Sequence, residues 1–317
     1  MLTKKQFDVL EYILENGAAS QRKIADGTGM SVGNVNKIVK ELTDENLIAD
    51  GKVTDNGIKA LEPYRVKRAI FIAAGFGSRM VPITLNTPKP LVRVNGKRII
   101  DSMLDAVIAA GIEEIYIVRG YLGEQFDQLL YKYPMIKFIE NTIYNEANNI
   151  SSALLASHLM QNAYVMEADL LLYNSRVIKK YQYSTNYLGV KVDRTDDWCF
   201  LTDSHLKIKK LGIGGIDCYH MFGVSYWDSE QGAKLSKYIK MVFDSPGGKE
   251  SYFDQVPLDR YINEFSVIVR PCTFDDITEI DTFNELKKLD KSYDVKKRTD
   301  IFRMSVLLQI LLLLAEI

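Results

Sequence analysis

Arg68-Ala-Ile-Phe-Ile-Ala-Ala-Gly-Phe-Gly-Ser-Arg-Met-Val-Pro-Ile-Thr-Leu-Asn-Thr-Pro-Lys-Pro-Leu91 runs from a nearly continuous apolar stretch, through a glycine loop, into a segment rich in proline and cations. Residues 68–74 predict a short strand buried on both faces, as in a parallel sheet covered by helices. The loop Ala74-Gly75-Phe76-Gly77-Ser78 lacks a Cβ at two positions, so backbone N–H groups can approach phosphate oxygens there. Glycines at a strand end are also ordinary turn residues, and the dinucleotide-binding fingerprint needs a third glycine that is absent. The added information lies in Arg79, Pro82, Thr84, Pro88 and Lys89, because two cations flanking a glycine loop call for an anion.

Downstream, the patterning predicts a helix over 99–110 ended by Gly111, a strand over 114–119, a helix over 124–131 and a strand over 136–140. A helix over 149–160 and a buried strand over 163–169 follow. This alternation predicts an α/β domain with a doubly wound, Rossmann-like, mostly parallel sheet, whose ligands bind at the C-terminal ends of the strands. Asp169 lies at one such end.

Upstream, apolar residues at helical spacing over 4–16, a short helix opened by Ser20 and a third helix capped by Ser31 read as helix, helix, turn, helix. Asp50-Gly51 then turns a two-stranded wing, and a further helix over 56–61 stops before Pro63. The pattern resembles a winged helix-turn-helix, with Asn34, Asn36, Lys37 and Lys40 as candidate DNA contacts. Residues 1–66 hold nine Lys or Arg and ten Asp or Glu, without the basic excess usual for DNA binding. DNA as a partner, and a role in dimerisation or docking on the next domain, therefore both stay open.

The whole chain has 317 residues, 47% hydrophobic and 26% charged, with a net charge of -1. That excludes disordered and fibrous classes, and any binding to nucleic acid or an anionic surface must be local. Three cysteines and three histidines without ligand spacing predict neither a disulfide framework nor a zinc site, and a reducing cytoplasm is expected. No apolar signal-peptide core follows Met1. The expected organisation is a winged helix-turn-helix over 1–65, an α/β domain over 66–290 and a tail over 291–317. The tail run Ile310–Ala315 is shorter than the about 20 residues that span a bilayer, so no membrane span is expected. A packing helix, an altered terminus or an interfacial anchor would each fit it. The oligomeric state is left open.

The pattern from Ala73 to Leu91 resembles the signature of the nucleotidyltransferases that make nucleoside-diphosphate sugars and alcohols, with Met80 and Ile83 standing where leucines are usual. The resemblance implies that Ala74, Gly75, Gly77 and Ser78 form the nucleotide loop. It also implies that Arg79 pairs with the β and γ phosphates and that Lys89 lies beside the α phosphate. Glu167-Ala-Asp169 stands at the family's acidic motif, usually Asp-x-Asp, and Asp281 matches its distal metal ligand, so Asp169 and Asp281 are the expected Mg²⁺ ligands. Hard carboxylates suit a cation that must neutralise several phosphate charges. By its position alone, Asp281 would equally serve as a helix N-cap.

Segments between Lys67 and Leu289 resemble the bacterial phosphocholine cytidylyltransferases, among them Gly120–Phe126, Asn148-Asn149 with Ser152, Asp197-Trp198, Gly223–Asp228 and Tyr252-Phe253-Asp254. This implies Asn149 and Ser152 near a cytosine base. It implies transfer of a cytidylyl group from CTP to phosphocholine, giving CDP-choline and pyrophosphate. A quaternary ammonium is held by aromatic faces and a carboxylate, and Trp198, Tyr226, Trp227, Tyr252, Phe253 and Asp254 supply the material. Of these, Trp198, Tyr252, Phe253 and Asp254 are the expected choline residues. Aromatics on strands are more often core than cage. The alternatives are a sugar-1-phosphate nucleotidyltransferase and, in another class, a DNA-binding regulator that senses a ligand through a nucleotidyltransferase-like domain.

Overall fold

The computed structural model describes residues 1–294; most of the tail over 291–317, with the run Ile310–Ala315 and the three readings left open for it, lies outside the described residues. The chain opens with α1 (Lys4–Asn16), α2 (Gln21–Thr28), α3 (Val32–Asp44), the wing strands β1 (Ile48–Ala49) and β2 (Lys52–Val53), and α4 (Asp55–Leu61). Ser20 and Ser31 accept the N–H groups of Lys23 and Asn34, so the caps expected from sequence start α2 and α3. Val9, Leu10, Ile24, Val35, Ile38 and Leu42 close a small core.

The α/β domain follows as β3 (Arg68–Ile72), the hairpin β4 (Arg93–Val94) and β5 (Lys97–Arg98), α5 (Ile99–Ala109), β6 (Glu114–Arg119), β7 (Ile136–Glu140) and α6 (Ile150–Leu155). Then come β8 (Ala163–Glu167), β9 (Leu170–Leu172), β10 (Asn186–Thr202), β11 (Ile208–Trp227), α7 (Ser229–Phe243), β12 (Ile268–Cys272), β13 (Ile277–Glu279) and α8 (Phe283–Leu289). Seven strands form one sheet in the order β12-β10-β11-β8-β3-β6-β7, and only β11 runs against the others. One apolar cluster packs α5 on one face, and a second packs α6 and α7 on the other. Each fully buried large aliphatic or aromatic side chain contributes about 1.5–3 kcal/mol to this packing.

Two expected helices differ in kind. Residues 123–131 form a 3₁₀ helix, and the helix expected over 149–160 is α only to Leu155 before a 3₁₀ turn at Ser157–Leu159. The segment has no glycine C-cap, and its last turn tightens instead, with Ala156 N–H shared between the Ser152 and Leu154 carbonyls.

The winged helix is docked on the sheet domain. Phe7, Tyr64 and Tyr183 form an aromatic knot with centroids 5.1–5.5 Å apart. Gln182 N–H donates to Tyr64 O, and Val66 N–H to Lys180 O, both at 2.9 Å. Lys179 Nζ pairs with Glu11 at 3.1 Å and with Glu15. Burial, and then the neighbouring Glu15 against the pull of Lys179, pushes the Glu11 carboxyl up to about 7.

Candidate active site

The loop leaves the C-terminal edge of the sheet after β3. Gly77 has φ +68°, and a Cβ there would meet Lys89 Cβ at 3.1 Å, so both conformation and space favour glycine. Thr84 Oγ1 donates to Gly77 O at 2.9 Å, and Tyr121 OH donates to Thr84 O at 2.8 Å, which ties the loop to its far arm. Gly75, Gly77, Ser78, Arg79, Lys89, Asn148 and Asn149 line one lobe of a cleft. Ala74 stands behind that lobe with its carbonyl taken by Tyr121 N–H, so it supports the loop instead of lining it.

The anions that Lys89 and Arg79 meet in this structure are carboxylates. Lys89, 8% exposed, donates from Nζ to Asp169 Oδ2 at 2.6 Å and to Asp281 Oδ1 at 3.1 Å. Burial opposes its charge, yet Asp169 and Asp281 outweigh that and push its pKa up to about 12. Arg79 donates to Asp281 Oδ1 at 2.6 Å while most of its guanidinium stays in solvent.

Pairing of β9 with β13 sets Leu170 against Glu279, and Ile280 N–H reaches Asp169 O at 3.2 Å. This crossing brings together the ends of two segments more than a hundred residues apart. Ligand atoms of Glu167, Asp169 and Glu279 lie within 4.8 Å of one another, and Asp281 joins them through Lys89. Asp169 Oδ1 is buried without a hydrogen-bond partner. Four carboxylates stand against two cations, so formal negative charge is left over. Burial, followed by the charges of neighbouring carboxylates, holds Glu167 and Glu279 well above the usual range. An orphaned oxygen amid surplus carboxylates fits a hard divalent cation. Asp281 is not the N-cap of α8: Thr282 fills that place in a capping box with Glu285.

The second lobe, a cavity of about 450 Å³, takes in these acids, shares Tyr252 with the first and adds Trp198, Asp254, Asp197, Met221 and Gly223. It is roofed by the outer half of β10. Residues 198–202 fold back to pair with 208–213, and Cys199 and Phe200 also sit beside His220 and Tyr219 of β11. Trp198 and Tyr252 make an aromatic corner, with centroids 5.9 Å apart and planes at 68°. Asp254 is buried, and burial pushes its carboxyl up to about 6 against the pull of the Tyr187 hydroxyl. A Cβ at Gly223 would fall 2.1 Å from Glu167 Oε2, so glycine there makes room for the carboxylate.

Several expected site residues serve the core instead. Phe253 is 2% exposed and packs in the second apolar cluster; only its N–H takes part nearby, donating to Asn149 Oδ1 at 2.8 Å. It follows Tyr252 by one residue and so points away from the cavity that Tyr252 lines. Ser152 is equally buried, with its hydroxyl receiving Asn141 Nδ2 at 2.9 Å, and it lines neither lobe. Tyr226 and Trp227 are core residues, Trp227 Nε1 donating to Ser225 Oγ. Asn149 does reach the nucleotide lobe. Glu279 was not foreseen as a site residue and Glu167 had no assigned role. The signal was present as two Glu-x-Asp pairs, whose alternate residues share one face of an extended chain.

Residues 68–187 match the nucleotidyl transferase family, and residues 2–49 match the winged helix-turn-helix DNA-binding family. The 2-aminoethylphosphonate cytidylyltransferase of Lancefieldella rimae is 36% identical over 228 residues, covering 71% of this chain and 92% of that protein. The choline-phosphate cytidylyltransferase of Streptococcus pneumoniae is 32% identical over 224 residues, 71% of this chain and 97% of its own. The solved structure of the CTP:phosphocholine cytidylyltransferase from the same species superposes with a TM-score of 0.67 at 32% identity, covering 72% of this chain and 98% of that one. A glycine loop, two cations on paired acids and near full-length similarity to enzymes of one kind converge: this chain belongs to the nucleotidyl transferase family, among its cytidylyltransferases, with a winged helix ahead of the transferase domain.

Proposed function

We propose that this protein transfers the cytidylyl group of CTP to phosphocholine, releasing pyrophosphate, with Mg²⁺ as its metal. The observation that carries the reading is the second lobe, where the Trp198–Tyr252 corner and the Asp254 carboxylate lie across one cavity from Asp169 and Asp281. Such a lobe suits a short zwitterion, its cationic head on the aromatic faces and its anionic end at the acids. A phosphate oxygen of the acceptor attacks the α phosphorus of CTP in line, and pyrophosphate leaves. The acceptor is already a nucleophile, so orientation and charge neutralisation do the catalysis, without a covalent enzyme intermediate. Lys89, freed from its acids, neutralises charge beside the α phosphate, and Arg79 swings from Asp281 to the outer phosphates. Held by Asp169 and Asp281 with Glu167 and Glu279 beside them, Mg²⁺ would supply the remaining positive charge.

A second acceptor, 2-aminoethylphosphonate, is favoured by one observation. With Phe253 in the core the cage has two aromatic walls, and the exposed Asp197 adds a carboxylate that a primary ammonium can hydrogen-bond. Pyrophosphate release from CTP with phosphocholine, 2-aminoethylphosphonate, phosphoethanolamine and a sugar 1-phosphate decides between them. Preference for the sugar phosphate would overturn the zwitterion reading.

The N-terminal module is read as a DNA-binding unit carried by the enzyme. In the docked chain, Asp8, Glu11 and Glu15 of α1 line the junction with the transferase domain, whereas Arg22, Lys23, Asn36, Lys37, Lys40 and Lys52 are exposed. The exposed acids Asp26, Asp44, Glu45, Asp50 and Asp55 share that surface, so any DNA contact is local to the lysines and asparagine of α3. Fluorescence anisotropy with duplex DNA at rising salt tests it: no binding at low salt would leave docking as the module's role.

A further inference from the structure

We propose that Tyr187 is a positioning residue for acceptor recognition, fixing Asp254 so that one carboxylate oxygen remains available to the cationic head of the acceptor. The inference rests on the zwitterion reading above and adds a residue to it. Tyr187, on β10 near its start, is fully buried and donates from its hydroxyl to Asp254 Oδ1 at 2.6 Å. Among the described residues no other side chain donates to Asp254, whose carboxylate belongs to the wall of the acceptor cavity. Phe200 and Trp227 pack edge-on against the Tyr187 ring at 5.6 and 6.0 Å, which leaves the phenol no room to swing away.

A phenylalanine would fill this space equally well, and a buried hydroxyl costs free energy unless it is bonded. Its presence therefore points to the bond it makes. A donor on Oδ1 favours the ionised form of a carboxylate that burial works to neutralise. It also stops the carboxylate rotating, so the same oxygen meets each incoming acceptor. Tyr187 touches neither reacting centre, and its effect passes through Asp254.

The experiment compares wild type, Tyr187→Phe, Asp254→Asn and the double variant. The acceptors are the better used of phosphocholine and 2-aminoethylphosphonate and its uncharged carbon isostere, with tert-butyl for trimethylammonium or methyl for ammonium. Tyr187→Phe should raise KM for the cationic acceptor on the order of tenfold, leaving kcat, KM for CTP and the isostere within about twofold. Adding Tyr187→Phe to Asp254→Asn should then change little, since the two act through one contact. Equal losses with both acceptors, or additive effects in the double variant, would overturn the proposal. Should wild type fail to discriminate the cation from its isostere, the zwitterion reading falls first. If wild type discriminates and Tyr187→Phe does so equally, only the role of Tyr187 falls. Thermal unfolding and CTP binding of each variant separate these outcomes from a folding defect.

Discussion

The two lobes of the cleft are built in opposite ways. The nucleotide lobe takes about half of its lining from one contiguous stretch, Ile72 to Pro90, and its cations are pre-paired with acids. The acceptor lobe is assembled from the fold-back of β10, the middle of β11 and the turn at Tyr252–Gln255, with the shared acids as its floor. A contiguous lobe leaves a dense signature in sequence. An assembled lobe leaves isolated aromatics and acids, and three of the five aromatics named for it, Tyr226, Trp227 and Phe253, belong to the core.

The largest effect should come where the lobes meet. Asp169→Ala and Asp281→Ala should each lower turnover about a thousandfold or more if they hold the proposed Mg²⁺. Because Lys89 keeps the other acid as partner in each case, circular dichroism should report an intact fold. Near-normal turnover of Asp281→Ala at saturating Mg²⁺ would separate the lobes and confine Asp281 to holding Arg79 and Lys89.

Lys89→Ala should cost on the order of a hundredfold to a thousandfold in kcat and less in KM for CTP, because a preorganised cation acts most strongly as charge shifts. Steady-state kinetics in CTP would show it, and a loss confined to KM would reduce Lys89 to a binding group. Tyr252→Ala should cost about 1–2 kcal/mol of acceptor affinity, as expected for one desolvated wall of a cation site, and less for CTP, whose lobe Tyr252 also borders. An equal or larger loss for CTP would assign Tyr252 to the nucleotide instead.

A pH profile sharpens the contrast further. Burial pushes the Asp254 carboxyl up to about 6, so the charge proposed to attract an ammonium is lost as pH falls through that value. The ratio of kcat/KM for the cationic acceptor to that for its uncharged isostere should be flat above about pH 7 and fall below 6. Both acceptors share the titrations of the phosphate and of the acids around Asp169, so the ratio isolates the acceptor lobe. Asp197 also faces that lobe, and Asp197→Asn should leave the midpoint in place. The smallest functional effect belongs to Phe253→Leu, which should cost on the order of 1 kcal/mol of stability while acceptor KM stays unchanged. A rise in that KM would return Phe253 to the cage.

Reading the sequence carried far in some regions because local chemistry decides there. The caps at Ser20 and Ser31, the Asp50-Gly51 wing, the buried strand at 68–72 and the glycine loop each satisfy a local geometric need with nearby residues. Lys89 and Asp169 were legible for the same reason, one in a signature and the other at a strand end. Tertiary structure alone decided the rest. Tyr252 and Phe253 are neighbours of similar chemistry, and only packing puts one on the cavity and the other in the core. Glu167 and Glu279 become one cluster only where β9 pairs with β13, a contact between segments too distant for any local pattern to register. Docking likewise decides the partners of Glu11 and Glu15 on α1, which meet Lys179 from more than a hundred residues away in sequence. Short-range sterics and hydrogen bonding fix what a segment becomes, whereas the burial of apolar area among distant segments fixes which side chains face one another.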